Sequence, residues 1–417
     1  MSSESRRFIF VATRYDPDIR SGVETLGKGL VEAICRAGHR VTVVTSGDRN
    51  ECVRGADGME ILRFRASFRS PGHLWMFASL LRWIHGRRVC QGKVLNPDGV
   101  ICNAPQYVPW ARMYYRLCPV IFICHGHHAI DSRFQDGREP VISMSIWLMR
   151  LCGGFLGSLQ ERLANLSADR IIALSPAMGE YLCHCERVPA RKIVVIPNGV
   201  NCRRFGADSE ARDYGHKELR IAFVGRMSRV KNVGYLIDAL GRLDKEITWK
   251  CTLVGDGPER EGLERMAYEL GIRDRLVFAG WSSSPSSVYQ WADVFVLPSR
   301  WEGCSSAMLE AMASGLACIG VRRDGREFLA DYRGMIEPGW NGMLVDGNNP
   351  TSLSSALRSL AGDHDLRASM GRRSRDIAVR RFSWDVIARQ YVELLVGRKN
   401  HSGDSGNSVT LLQSGRR

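Results

Sequence analysis

The pattern that most constrains this chain occurs twice. Short apolar runs, RFIFVAT (7–13), RVTVVTS (40–46), GVIC (99–102), PVIFICHG (119–126) and DRIIALS (169–175), are separated by longer segments, among them a helical pattern over 23–36 that ends at Gly38. A polar, turn-rich stretch follows, IPNGVNCRRFGADSEARDYGHKEL, and reads as a linker. The pattern then restarts with LRIAFVG (219–225), WKCTLVG (249–255), RLVFAG (275–280), DVFVLPS (293–299) and ACIGV (317–321). Helices are expected there over 232–243, 258–270 and 305–314. Nearly continuous apolar strands alternating with helices require a parallel sheet covered on both faces. A chain of 417 residues has room for two such cores. The expectation is an α/β chain of two doubly wound domains, 1–200 and 201–381. An amphipathic helix over 382–397 is expected to pack back on the first domain, and a polar tail over 398–417 to be disordered.

Charge narrows the partner. The net charge of +14 favours something anionic: nucleic acid, a phosphorylated small molecule or an anionic membrane face. The 13 cysteines are scattered among apolar residues, and Cys183 and Cys185 around His184 have no CxxC partner to complete a zinc site. They read as reduced core thiols of a cytoplasmic protein. The opening MSSESRRFIFVATRYDP does not read as a signal peptide. The run 141–160 has membrane-span length, but Arg150 at its middle and Gly153-Gly154 argue for a partly buried or interfacial helix.

Open parallel sheets bind ligands at the carboxyl ends of their strands. One such end, after 219–225, carries Gly225, Arg226 and Lys231, a glycine turn followed by two cations suited to phosphate oxygens. Another, after 249–255, reads GDGPE, a glycine turn before a helix start; it lacks the GxGxxG of a dinucleotide oxidoreductase. A third end leads into WEGCSSAMLEAMASG (301–315). Here Glu302 precedes the expected helix, and the amides of Gly303, Cys304, Ser305 and Ser306 lie at its start, where dipole and free N–H groups favour an anion. Glu310 lies inside the helix among apolar residues, where a carboxylate needs a partner. On a regular helix, residues eight apart differ by roughly 80° and about 12 Å, so both carboxylates can face one crevice at different depths. The plainer readings are a dipole partner for Glu302 and a solvated helix position for Glu310. Taken together, the three strand ends suit a diphosphate between two hydroxyl-rich groups, as in a sugar nucleotide.

These stretches resemble the retaining, GT-B-fold glycosyltransferases of family four. The matching segments are FVGRMSRVKN, LVGDGPERE, ADVFVLPSRWEGCSSAMLEAMASG and FSWDVIARQY in the second half, with YDPDIRSGVE, ICHGHH, IIALSPAMGEYL and VIPNGVNCRRF in the first. The resemblance covers residues 7–396 and implies two Rossmann-like domains facing each other across a cleft, the first for the acceptor and the second for the nucleotide sugar. It implies that Arg226 and Lys231 hold the donor diphosphate, that Glu302 and the amides after it hold the donor sugar, and that Glu310 holds the ribose. It further implies that the loop at Gly22 closes over the diphosphate and that His125 lies near the transferred sugar. Transfer would retain anomeric configuration, need no metal or cofactor, and use a UDP-sugar or GDP-sugar as donor. Departures from the family pattern are Ser21 for the first glycine of GGxE, Asn232 for the glycine after the lysine, and Arg323 and Asp324 for both glycines of GGNRE; Glu327 stays in register.

From Ile61 to Pro97 there are seven Lys or Arg and no Asp or Glu, interleaved with Phe64, Phe68, Trp75, Phe77 and Trp83. HLWMFASLLRWIHGRR reads as an amphipathic helix with a basic end, suited to an anionic leaflet. Single-stranded nucleic acid also suits such a mixture, but many family members glycosylate lipid-linked acceptors, so the membrane is preferred and nucleic acid is not expected. The expected function is transfer of a hexose to a lipid-linked or polysaccharide acceptor in cell-surface glycan synthesis, at the inner face of the membrane. The alternative is a catalytically inactive protein of the same fold, acting as a binding partner in glycan assembly.

Overall fold

The computed structural model describes residues 4–13, 15, 22–47, 51–55, 58–65, 97–125, 157–206, 217–282, 284–324, 330–397 and 410–411. They form two sheets in an α/β arrangement, one in each half of the chain. The N-terminal sheet has nine strands in the order Thr410–Leu411, Ile193–Val195, Arg170–Ala173, Val120–Cys124, Gly99–Cys102, Arg7–Val11, Arg40–Gly47, Met59–Arg65 and Glu51–Arg54. All pairs are parallel except those made by the two outermost strands. The C-terminal sheet has six parallel strands in the order Leu276–Gly280, Trp249–Val254, Leu219–Val224, Val294–Leu297, Ala317–Val321 and Gly342–Val345.

The sequence dictates this layering. Every residue of Val120–Cys124 and of Ala317–Val321 is buried, as a strand covered on both faces requires. In Arg7–Val11 the faces divide by alternation. Phe8 and Phe10 join the core with Leu30, Val31 and Ile34 of the helix Gly22–Arg36, whereas Ile9 and Val11 pack with Val108, Ala111, Ala164 and Ala168. Each fully buried aliphatic or aromatic side chain contributes roughly 1.5–3 kcal/mol.

Most expected strands and helices form within a residue or two of their expected bounds. Four strands besides the tail pair were not foreseen: Met59–Arg65 and Glu51–Arg54, which pair as an antiparallel edge, Ile193–Val195 and Gly342–Val345. Ile61–Arg65, the start of the basic segment, belongs to the first of these strands, while the amphipathic helix read at 73–88 lies outside the described residues. Of the span-length run 141–160, only 157–160 is described, and it is helical together with 161–167. The helix expected from 382 begins at Trp384. Phe382 closes the preceding helix His364–Phe382, and Ser383 is extended between the two. Within the tail expected to be disordered, Thr410–Leu411 pair antiparallel with Val194 and Val195. A β-branched, apolar run can complete the open backbone of an edge strand even inside a polar tail. Among the described residues, no helix is long and apolar enough to cross a membrane.

The chain passes between the sheets twice at one place. Val200 N–H donates to Phe382 C=O at 2.8 Å, and Trp384 N–H donates to Val200 C=O at 3.2 Å. A Cβ at Gly199 would lie 2.3 Å from the Trp384 ring, so this crossing requires glycine. Helix Trp384–Val396 then packs on helix Gly22–Arg36, with the Trp384 ring against Gly29.

Candidate functional site

Leu219–Val224 and Val294–Leu297 are neighbours, but chain order reverses between them. A crevice opens at the carboxyl ends of strands at such a switch point. Here pairing covers only Val294 with Ile221 and Phe295 with Ala222, so the ladder stops before the strands leave the sheet. The turn after Leu219–Val224 is clamped from the other side. Met227 N–H donates to Asp256 C=O at 2.9 Å, and Glu259 N–H donates to Met227 C=O at 3.1 Å. Gly255 and Gly257 have φ of +135° and +159°, and a Cβ on them would lie 1.9 Å from the Gly225 oxygen and 2.3 Å from the Met227 oxygen. The two glycines of GDGPE therefore let one turn lie on the other.

Lys231 closes that turn, its N–H donating to Ser228 C=O at 2.9 Å. Asn232, next in sequence, has φ 54° and ψ 41° and precedes the helix Val233–Gly241. This left-handed conformation explains a glycine preference at the position, and asparagine tolerates it better than most residues. Arg300 N–H donates to Val230 C=O at 2.8 Å, drawing the loop after Val294–Leu297 against the lysine loop. The Lys231 ammonium consequently hydrogen-bonds a Glu302 carboxylate oxygen, which also accepts from Ser299 Oγ–H at 2.7 Å. Glu302 is only 8% exposed, so this pairing offsets the burial of its charge. Arg226 is exposed and makes no side-chain bond among the described residues.

The helix after Glu302 is Ser306–Ala313, capped by Ser305, whose Oγ accepts from Met308 N–H at 3.3 Å. The amides of Gly303, Cys304 and Ser306 have no carbonyl partner among the described residues. Cys304 itself is buried, which pushes its thiol up to about 12, and serves packing rather than nucleophilic chemistry. Glu310 lies along this helix and accepts from the Tyr289 hydroxyl at 3.0 Å. Burial raises its carboxyl to about 7, although the Tyr289 hydrogen bond and the Arg204 charge pull the other way.

The N-terminal sheet has its own switch point, between Arg7–Val11 and Gly99–Cys102. Gly22 opens the first helix there, and His125 follows Val120–Cys124. The His125 ring is bonded to the Asn103 amide oxygen, its Nδ1 is buried with no partner among the described residues, and burial lowers the imidazole to about 4. It is therefore neutral near pH 7. A Cβ on Gly303 would meet the His125 carbonyl oxygen at 3.5 Å, so the two halves approach closely here. Asn198 adds a direct link, its Nδ2–H donating to Cys304 C=O at 2.8 Å.

A second set of links flanks a crevice lined by Ala177, Met178, Tyr181, Trp301, Glu302 and Arg323. Glu180 accepts from Arg323 at 3.0 Å and from Arg333 at 2.8 Å. Asp331 accepts from Ala177 N–H at 2.7 Å and from the Arg333 fork at 2.9 Å on each oxygen. Arg323, one of the departures from the family pattern, thus joins the two halves. Glu327 lies outside the described residues, as do Ser21, His127 and His128.

The structure therefore brings Lys231 onto Glu302 and sets Glu302 and Gly303 in the crevice with Ala177, Tyr181 and Trp301. It brings the His125 carbonyl oxygen near Gly303, whereas the His125 ring turns to Asn103 in a separate cavity with Gly27, Leu30 and Trp384. Sequence reasoning missed Ser299, Tyr289, Asn103, Glu180, Asp331 and Arg333, which orient the charged groups or join the halves. Ser299 and Glu180 lay within stretches already quoted, DVFVLPS and IIALSPAMGEYL, as did Asn198 in the Pro197-Asn198-Gly199 turn, but none was singled out there. Among the described residues, no group of three or more His, Cys, Asp or Glu side chains is arranged to hold a metal ion.

Two family profiles cover most of the chain. The one described as glycosyl transferases group 1 matches residues 207–377, and the one described as glycosyltransferase family 4 matches 20–204. An uncharacterized glycosyltransferase of Methanocaldococcus jannaschii is 25% identical over 93% of this chain and 97% of its own length. A lipopolysaccharide core biosynthesis glycosyltransferase of Rhizobium meliloti, LpsE, is 29% identical over 58% of this chain and 69% of its own. The Escherichia coli UDP-Gal:alpha-D-GlcNAc-diphosphoundecaprenol alpha-1,3-galactosyltransferase is 29% identical over 69% and 73%. Among solved structures, sucrose-phosphate synthase of Thermosynechococcus elongatus superposes with a TM-score of 0.71 at 21% identity, covering 93% of this chain and 98% of that one. Anabaena HepE, solved with UDP-glucose, gives 0.66 at 19% identity, covering 94% and 100%. At these identities the structural likeness establishes the two-domain GT-B fold.

Proposed function

Because this chain belongs to the group 1, family 4 glycosyltransferases, we propose that it moves a hexose from a nucleoside-diphosphate sugar to a lipid-linked or polysaccharide acceptor in cell-surface glycan synthesis. The observation that carries this reading is the Lys231–Glu302 pair at the carboxyl ends of two strands flanking a switch point, with Glu310 on the helix that follows. The diphosphate lies between Arg226 and Lys231, which neutralise charge on the leaving group as the glycosidic bond breaks. Glu302 and the amides beginning at Gly303 hold the transferred sugar, and Glu310 accepts hydrogen bonds from the ribose hydroxyls. Glu302 is already engaged by Lys231 and Ser299, so it positions the sugar and is not the general base. Transfer retains configuration. The acceptor oxygen attacks on the face from which the diphosphate departs, and the departing phosphate takes the acceptor's proton. No metal or cofactor is required. The E. coli and R. meliloti relatives, by their names, act on a lipid diphosphate and on lipopolysaccharide core, which supports an acceptor at the inner face of the membrane, with the basic segment 61–97 contributing to attachment.

Thermal shift with UDP, GDP and ADP, followed by a sugar-nucleotide panel on membrane lipid extract, tests this reading. Stabilisation by one diphosphate and transfer from its sugar are expected. A protein that responds to none of the three overturns it.

A further inference from the structure

One face of the N-terminal sheet is covered by helices that pack through Val108, Ala111, Ala164, Ala168, Met178 and Leu182. The outward side of this layer is not polar. On the helix over 157–167, Leu159, Leu163 and Leu166 are 42%, 44% and 74% exposed, and their spacing places them along one stripe. Beside them stand Met113, Tyr114 and Leu117, the last fully exposed in the loop before Val120–Cys124. These are six of the thirteen exposed large hydrophobic residues described in the whole chain, a clustering that single scattered leucines would not give.

The two groups are tied into one surface. Asp169, just past the helix, accepts from Val120 N–H at 2.8 Å and pairs with Arg112 at 3.4 Å. Lys192 Nζ–H donates to Leu166 C=O at 2.8 Å and to Asn165 C=O at 3.3 Å. Among the described residues the surface is strongly basic: its segments carry Arg112, Arg116, Arg162, Arg170, Arg191 and Lys192 against Glu161 and Asp169, with Asp98 acting on the adjoining Cys118. Partial burial and then the neighbouring Arg191, Arg112 and Arg170 depress the Lys192 ammonium, while Asp169 opposes them, so these cations crowd one another.

We propose that this outer face, leucines ringed by arginines, is a docking surface for an anionic lipid bilayer. The leucines enter the acyl boundary and the cations meet lipid phosphates. A second copy of the chain would bring like charges together. A fully exposed tip such as Leu117 fits an interface it can penetrate. The proposal deepens the lipid-linked-acceptor reading above and rests on it, but it does not depend on the segment 61–97.

Flotation of the full chain with phosphatidylglycerol-containing vesicles, against phosphatidylcholine alone, tests it. Binding only to the anionic vesicles is expected. Two variants, Leu117→Ser with Leu166→Ser and Arg116→Glu with Arg162→Glu, should each reduce partitioning by about tenfold or more. Arg265→Glu, an exposed cation of the other half, should not. Wild-type-like flotation by both variants, equal binding to neutral vesicles, or a dimer lost in the leucine variant without vesicle binding would each overturn the proposal. The nucleoside-diphosphate thermal shift, read on the same preparations, separates this outcome from failure of the transferase reading: the variants should keep that shift.

Discussion

Lys231 and Glu302, 71 residues apart in sequence, are bonded to each other across the switch point of the C-terminal sheet. One belongs to the expected phosphate-binding turn and the other to the expected sugar-binding loop. In the absence of donor they therefore neutralise one another. On the proposed reading, a donor diphosphate shares the ammonium with a carboxylate that Ser299 also holds at 2.7 Å.

Lys231→Ala leaves a buried carboxylate with one neutral donor. A loss of stability of about 1–3 kcal/mol in denaturant melts is expected, together with a fall in kcat of about 10²-fold or more. Glu302→Gln keeps the shape and the Ser299 contact, so it should lose turnover while melting close to wild type. If Glu302→Gln transferred sugar at the wild-type rate, its assignment to donor positioning would fail.

Glu310 should make donor binding pH-dependent. Its carboxyl is raised from 4.5 to about 7 by burial, so the folded chain holds a proton there that the unfolded chain has already released. Its contribution to stability is therefore greatest below about 4.5, falls as pH rises, and levels off above about 7. A ribose diol prefers the ionised form, so donor affinity should rise over the same upper range. Calorimetric titration of the nucleoside diphosphate from pH 6 to 8 checks this, and Glu310→Gln should flatten the profile. Tyr289→Phe removes a hydrogen bond that favours the carboxylate and should move the midpoint upward.

The Asp331–Ala177 and Glu180–Arg323–Arg333 links predict a measurable effect on how the halves hold together. Asp331 is raised by burial but lowered further by Arg333 and by the Ala177 and Arg333 amides, leaving it below its usual 3.8. Its stabilisation is present above pH 3.8 and lost as pH falls through the lower folded value. Asp331→Ala should cost about 1–3 kcal/mol. Glu180→Ala, which loses two half-exposed ion pairs, should cost under about 1 kcal/mol. Scattering should nevertheless show a larger radius of gyration for the Glu180 variant; an unchanged profile would remove the clamp.

Asn232 tests the backbone rather than a contact. Asn232→Ala places a Cβ-bearing residue without a helpful side chain at φ 54° and should cost about 1 kcal/mol. Asn232→Gly relieves strain but frees the unfolded chain, so its melt should stay within about 0.5 kcal/mol of wild type. Gly257→Ala is the opposite case. Its Cβ would lie 2.3 Å from the Met227 oxygen, so the donor turn must shift and the nucleoside-diphosphate thermal shift should be lost.

Strand positions were readable because a doubly covered strand must be apolar throughout, as Val120–Cys124 and Ala317–Val321 are. Met59–Arg65 escaped notice because its alternation, Glu60 and Arg63 among apolar residues, resembled a basic surface segment rather than a strand. Thr410–Leu411 was unreadable for a different reason: an edge strand recruits its partner through backbone, which composition does not record.

The sequence by itself determined the two α/β units and the strand-exit segments that carry Arg226, Lys231, Glu302 and Glu310. Those features are local, since apolar periodicity and a glycine turn at a strand exit lie within a few consecutive residues. Only the tertiary structure decided what each charge meets: Lys231 on Glu302, Tyr289 on Glu310, Asn103 on His125, Glu180 on Arg323. Each pair joins segments at least 21 residues apart. A buried polar group must find a partner, but which partner lies in reach is fixed by how the helices and strands pack.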